Sequence, residues 1–221
     1  MKETQMGFLS GLFGGNKQDK ALQEAFEHIK RVLEDEEFQL DLINPEMKEI
    51  IKNCPAYDKD PNGTGPFGLS EKNPIPVNGP IGQLAYLSRL ETNKGERLFF
   101  HRVGAVNTID VFEAVTFSGN EWFILFTDFY HPRRSRATPD GFRFTSEVPQ
   151  FSGFHKYCPN FPYDFMEMKG TERDSGLSFA YIPLSKVMPQ IQARAFSRPL
   201  AHKAKIDVVR SRLTSSLIQG A

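Results

Sequence analysis

The stretch IDVFEAVTFSGNEWFILFTDFY, residues 109–130, decides the fold. Two runs rich in Val, Ile, Phe and Thr, 109–117 and 121–130, flank a Ser-Gly-Asn-Glu junction. Runs of this composition bounded by turn residues read as β-strands. Gly119-Asn120 as a two-residue loop suits a type II′ turn, so an antiparallel hairpin is predicted. In that register Phe117 opposes Trp122, Val115 opposes Ile124 and Val111 opposes Asp128. Both faces of the hairpin are apolar for much of their length, which places it at the centre of a sheet covered on both sides.

Upstream, residues 98–103 read as a neighbouring strand. A turn over 104–108 would put Val103 opposite Ile109 and His101 opposite Val111. Downstream, Pro139-Asp140-Gly141 is a turn signal and 142–145 a fourth strand. Residues 149–176 form an aromatic connection, and 177–182 supply a last strand.

Both ends of the chain read as helical. Leu22, Phe26, Ile29 and Leu33 form one apolar stripe and predict a helix over 18–37. Asn44-Pro45 starts a second helix, because Asn caps well and Pro fits the first helical position. Cys54-Pro55 ends it. Residues 55–80 are rich in Pro, Gly and Asn and read as a long loop or two loops, followed by a short helix near 81–91. Ile206, Val209, Leu213 and Leu217 mark a helix over 201–218 with a basic opposite face. Residues 1–15 read as a flexible, apolar, glycine-rich tail, and 16–221 as one domain. The fold class is α+β: a mostly antiparallel sheet of about five strands, covered by helices from both ends.

Charge limits the function. The chain holds 27 acidic and 27 basic residues, and this overall balance argues against a nucleic-acid partner. The balance is uneven along the chain, however. Residues 1–50 carry eleven acids and six bases, whereas 185–221 carry seven bases and one acid, Asp207. The two ends attract each other, within one chain or between chains. The primary expectation is therefore a non-catalytic interaction or assembly module, meeting a second copy or another protein through residues 1–15 and the basic C-terminal helix. No signal peptide and no run of about 18 apolar residues is read, so a cytoplasmic protein without a transmembrane segment is expected.

The alternative is a site for an anionic or polar small molecule, catalytic or not. DFYHPRRSR, 128–136, places an acid, a histidine and three arginines at a strand end. The expected register puts His101 and Asp128 on one face, with Glu113 one step along and His131, Arg133 and Arg134 following. These six residues are the ligand-binding candidates, since they alone gather enough titratable groups for acid–base or anion chemistry. No metal and no cofactor is expected. Cys54 and Cys158 match no zinc or redox spacing, and no GxSxG, GxxxxGK[ST] or GxGxxG motif is read. DKDPNGTG, 58–65, matches the start of a calcium loop, but Leu69 stands where a bidentate Glu is needed, so a turn-rich loop is expected.

Overall fold

The computed structural model describes residues 30–145 and 199–219, together with Lys20, Glu24, Glu27 and His28, with side chains on the last helix to Arg212. The tail 1–15, the aromatic connection 149–176, the strand expected over 177–182 and Cys158 lie outside the described residues.

The elements follow in the order α1 (Glu36–Asp41), α2 (Pro45–Lys52), β1 (Ile75–Pro76), α3 (Gly79–Ser88), β2 (Leu90–Thr92), β3 (Leu98–Val106), β4 (Ile109–Thr116), β5 (Trp122–Asp128), β6 (Phe142–Phe144) and α4 (Leu200–Gln219). The main sheet has the order β1-β5-β4-β3. Its hairpin neighbours are antiparallel, and β1 joins β5 in parallel. The architecture is α+β, with a mostly antiparallel sheet of four strands and a separate two-stranded sheet, β2-β6. The stretch expected as a fourth strand of the main sheet instead pairs with β2, Leu90 opposite Phe144. Thr145 N–H closes that small sheet on the Arg89 carbonyl.

The decisive hairpin forms, with a corrected register. Val115 pairs with Trp122 and Val111 with Phe126, two residues away from the expected Val111–Asp128 pairing. The cause is side-chain chemistry at the turn. The Thr116 hydroxyl accepts the Glu121 N–H, while Thr116 N–H reaches the Glu121 carbonyl. Gly119, at φ +76°, closes a turn on the Thr116 carbonyl. Hydroxyls that take backbone bonds redirect turns in this way, and the loop becomes four residues. A slip of two preserves each residue's face, whereas a slip of one would reverse it.

The β3–β4 register also moves. β3 runs on to Val106, and Asn107 turns the chain at φ +56°. His101 therefore opposes Glu113 rather than Val111, with an irregularity between Arg102 and Gly104.

The expected helix over 18–37 is interrupted at Asp35. Its carboxylate accepts the Phe38 N–H at 3.0 Å and caps α1, as Asp does at helix starts. Asn44 and Pro45 begin α2 as expected. The loop 55–80 is not structureless, since it contributes β1 and the start of α3.

Side-chain alternation divides the sheet into two faces. On one face Leu98, Phe100, Phe112, Ala114 and Leu125 pack with Tyr86 and Leu87 of α3. Each buried leucine or phenylalanine among these contributes about 1.5–3 kcal/mol. There Gln83 of α3 donates to both Asp110 and Thr127. α1 packs outside α3, where Asn78 Nδ2 donates to Gln39 Oε1 at 2.7 Å. On the other face lie Val111, Glu113 and Val115 with Trp122, Ile124 and Phe126. α4 lies there against β3 and β5, burying Ile206 and Val209.

Candidate functional site

The structure divides the six candidate residues into three groups. His101 and Glu113 meet on neighbouring strands, with His101 Nε2 at 2.9 Å from Glu113 Oε1. Glu113 is fully buried. Its second oxygen, Oε2, accepts from His202 Nε2 of α4, also at 2.9 Å. The carboxylate therefore bridges the sheet to the C-terminal helix. A buried carboxylate is costly unless hydrogen-bonded, and here each oxygen has a ring N–H donor.

Asp128 and His131 form the second group, at the far end of β5. Asp128 Oδ2 faces His131 Nε2 at 3.2 Å, and the Pro55 carbonyl accepts from His131 Nδ1 at 2.8 Å. Both ring nitrogens thus face acceptors, which suits the imidazolium. Burial disfavours that charge, but the Asp128 carboxylate and the Pro55 carbonyl outweigh it and hold the pKa of His131 above its ordinary value. Tyr57 packs on the ring, centroids 4.7 Å apart.

The arginines form the third group. Arg133 donates to Asp58 at 2.6 Å, and the same carboxylate accepts the Arg136 N–H. These bonds hold the Asp58 carboxyl below the ordinary carboxylate range. Arg134 donates to the carbonyls of Leu33 and Glu34 and to the Glu36 carboxylate. A planar guanidinium fits such a cluster of acceptors at a helix end. DFYHPRRSR thereby ties the strand end to the loop at 55–58 and to the N-terminal helices.

The sequence reading missed His202. A signal was present: His202 stands on the apolar stripe of α4, four residues before Ile206, and Glu113 interrupts an apolar strand. Two polar residues at core positions invite pairing. It also counted GxGxxG as absent, whereas GTGPFG, 63–68, fits that dinucleotide spacing. Here the glycines serve turns. Gly65 and Gly68 have positive φ, and a Cβ on Gly63 would meet Asn73 Oδ1 at 2.5 Å. The strand-to-helix context the motif requires is missing, because no strand directly precedes it and no helix opens on it. In the calcium-like loop, Asp60 Oδ1 accepts the Asn62 N–H as a turn cap. Among the described residues no three His, Cys, Asp or Glu side chains form a metal-binding group.

A groove of about 630 Å³ runs between β5 and α4. Trp122, Ile124 and Phe126 line the sheet side; Val208 and Val209 line the helix side. Lys205, Arg212 and His202 supply its polar groups, and the His202 ring lies 5.3 Å from that of Trp122.

Charge is layered across the sheet. Residues 34–52, containing α1 and α2, hold seven acids and two bases. α4 holds four bases and one acid. The first layer is stacked behind α3 on the Phe112 face; the second lies on the Glu113 face.

Fold and site together define an α+β protein whose buried His-Glu-His bridge fastens a basic helix to a central sheet. No family model, curated protein or solved structure matches the chain. Among the described residues no helix is long and apolar enough to cross a membrane.

Proposed function

We propose that the protein is a non-catalytic interaction or assembly module that meets another polypeptide through its charged helical layers. One observation carries this reading: the acidic and basic layers lie on opposite faces of one sheet. The sheet keeps them apart, so their attraction acts between molecules. Part of the acidic charge is used locally, by Lys52 on Glu37 and Lys48 on Asp41. Arg212 of the basic layer pairs with Glu71. Lys203 and Lys205 have no ion pair among the described residues. The apolar residues 1–15 are a further contact in this reading.

The alternative ligand site at the strand end has less support. His131, Arg133 and Arg134 each bond to protein acceptors. A ligand there would displace bonds worth about 1.5–3 kcal/mol each. The groups at His101 and Asp128 also stand about four residues apart along the strands, roughly 13 Å.

Salt tests the reading. Gel filtration of a gentle extract at low ionic strength should place the full chain in a defined complex. Raising the salt should dissolve it, because ions screen exposed charge beyond about 3 Å at 1 M. A chain that elutes as a monomer from extract at every salt concentration contradicts the reading.

A further inference from the structure

We propose that the groove between β5 and α4 receives the α1–α2 helix pair of a second copy of this chain. The inference rests on the assembly reading and names its partner and its surface.

Apolar exposure points to these two places. Among the described residues the exposed large hydrophobic side chains are Leu42, Ile50, Leu200 and Val208. Leu42 follows α1 and Ile50 is on α2; Leu200 and Val208 are on α4. Val208 is 51% exposed and lines the groove, and Ile50 is 53% exposed on the acidic layer. Contiguous apolar exposure rimmed by charge is what interaction surfaces present.

Charge then selects the partner. Glu46 and Glu49 flank this part of α2 and, among the described residues, have no ion pair. Lys203 and Lys205 of α4 are in the same position, and Lys205 lines the groove. The surplus acids and the surplus bases thus each accompany exposed aliphatic side chains. Ile50 and Leu42 fit an apolar floor of Trp122, Ile124 and Phe126, while Glu46 and Glu49 face Lys203 and Lys205. Such complementarity fixes partner and register. Donor and receptor surfaces are different patches on opposite faces, so the contact is head-to-tail. Each copy can give and receive, and the product is a ring or a filament.

Trp122 is the only tryptophan and lies in the groove, so its emission reports occupancy. Sedimentation velocity and Trp122 emission of the purified full chain at low salt provide the test. Expected is concentration-dependent association accompanied by a shift of emission to shorter wavelength. Lys205→Glu alone, and Glu46→Lys/Glu49→Lys alone, should each weaken association by about tenfold or more, since like charges then meet. An equimolar mixture of the two variants should restore association and the spectral shift. The substituted side chains are exposed, so the fold is retained.

A purified chain that stays monomeric at all concentrations overturns the inference. So does association that persists in either variant, or a mixture that fails to recover. In all three cases a salt-sensitive complex in extract would leave the assembly reading standing with a different partner or surface. A spectral shift produced in the monomer by a long-chain carboxylate would also overturn it, by assigning the groove to a small amphipathic acid.

Discussion

His202 Nε2 and Glu113 Oε2 lie 2.9 Å apart and join the C-terminal helix to the central strand of the sheet. The bond links residues 89 positions apart, beneath a helix that also buries Ile206 and Val209. His202→Ala should therefore loosen α4 more than it loosens the sheet. The expected cost is about 2–3 kcal/mol, from a charge-assisted hydrogen bond and the packing of a buried ring. Amide hydrogen exchange reads it: protection in α4 should fall while β4 keeps its own. Equal protection of α4 in variant and wild type would refute the fastening role.

His131 makes stability depend on pH. Its folded pKa is raised above 6.5 by Asp128 and the Pro55 carbonyl, against burial. The sign follows from linkage. Stability from this group is fully present below the unfolded value and is lost as pH rises through the higher folded value. Urea midpoints should thus decline from mildly acidic to mildly alkaline pH, and His131→Gln should flatten that decline. A variant with the same slope as wild type would show that other groups produce it.

Arg134 reaches two carbonyls and a carboxylate at the end of the N-terminal helical segment. Arg134→Ala should cost about 2–4 kcal/mol, because buried acceptors lose their donors. Arg134→Lys should recover little of this, since one ammonium cannot reproduce the fork. Chemical denaturation of the three proteins measures it, and full recovery by lysine would reduce the role of Arg134 to that of a point charge.

Two glycines separate strain from crowding. Gly68 has φ +70°, and a Cβ there would lie 2.6 Å from Pro139 Cγ and 2.8 Å from Ile75 Cγ1. Gly141 has φ +89° and open space. Gly141→Ala should cost about 1 kcal/mol from the backbone alone, and Gly68→Ala about 2–4 kcal/mol because the core must also shift. Equal losses in urea titrations would place Ile75 in a softer environment than described.

Much of the fold was legible because it is local. Asn44-Pro45, Pro139-Asp140-Gly141 and the alternating strands signal themselves within a few residues. The hairpin's partners were not, because the turn depends on where the Thr116 hydroxyl bonds, and composition is silent on that. Phe142–Phe144 looked like a main-sheet strand because a strand's sequence does not name its partner, which here is Leu90–Thr92. His101 and Glu113 stood among the candidates, yet their direct pairing depended on the β3–β4 register, and its third member, His202, on the long-range packing of α4. Asp128 and His131 stood in one stretch of sequence, but the expected register set Asp128 in a row with His101, and their mutual bond was not read.

The most direct test of the assembly reading is the native mass of the untagged protein purified gently from its own cells. The result expected is an integer multiple of 25.1 kDa, or a defined complex with a second polypeptide, reverting to the single chain in high salt. A single chain carrying a small-molecule excess mass, with no larger species at any salt concentration, would contradict it and return the function to ligand binding.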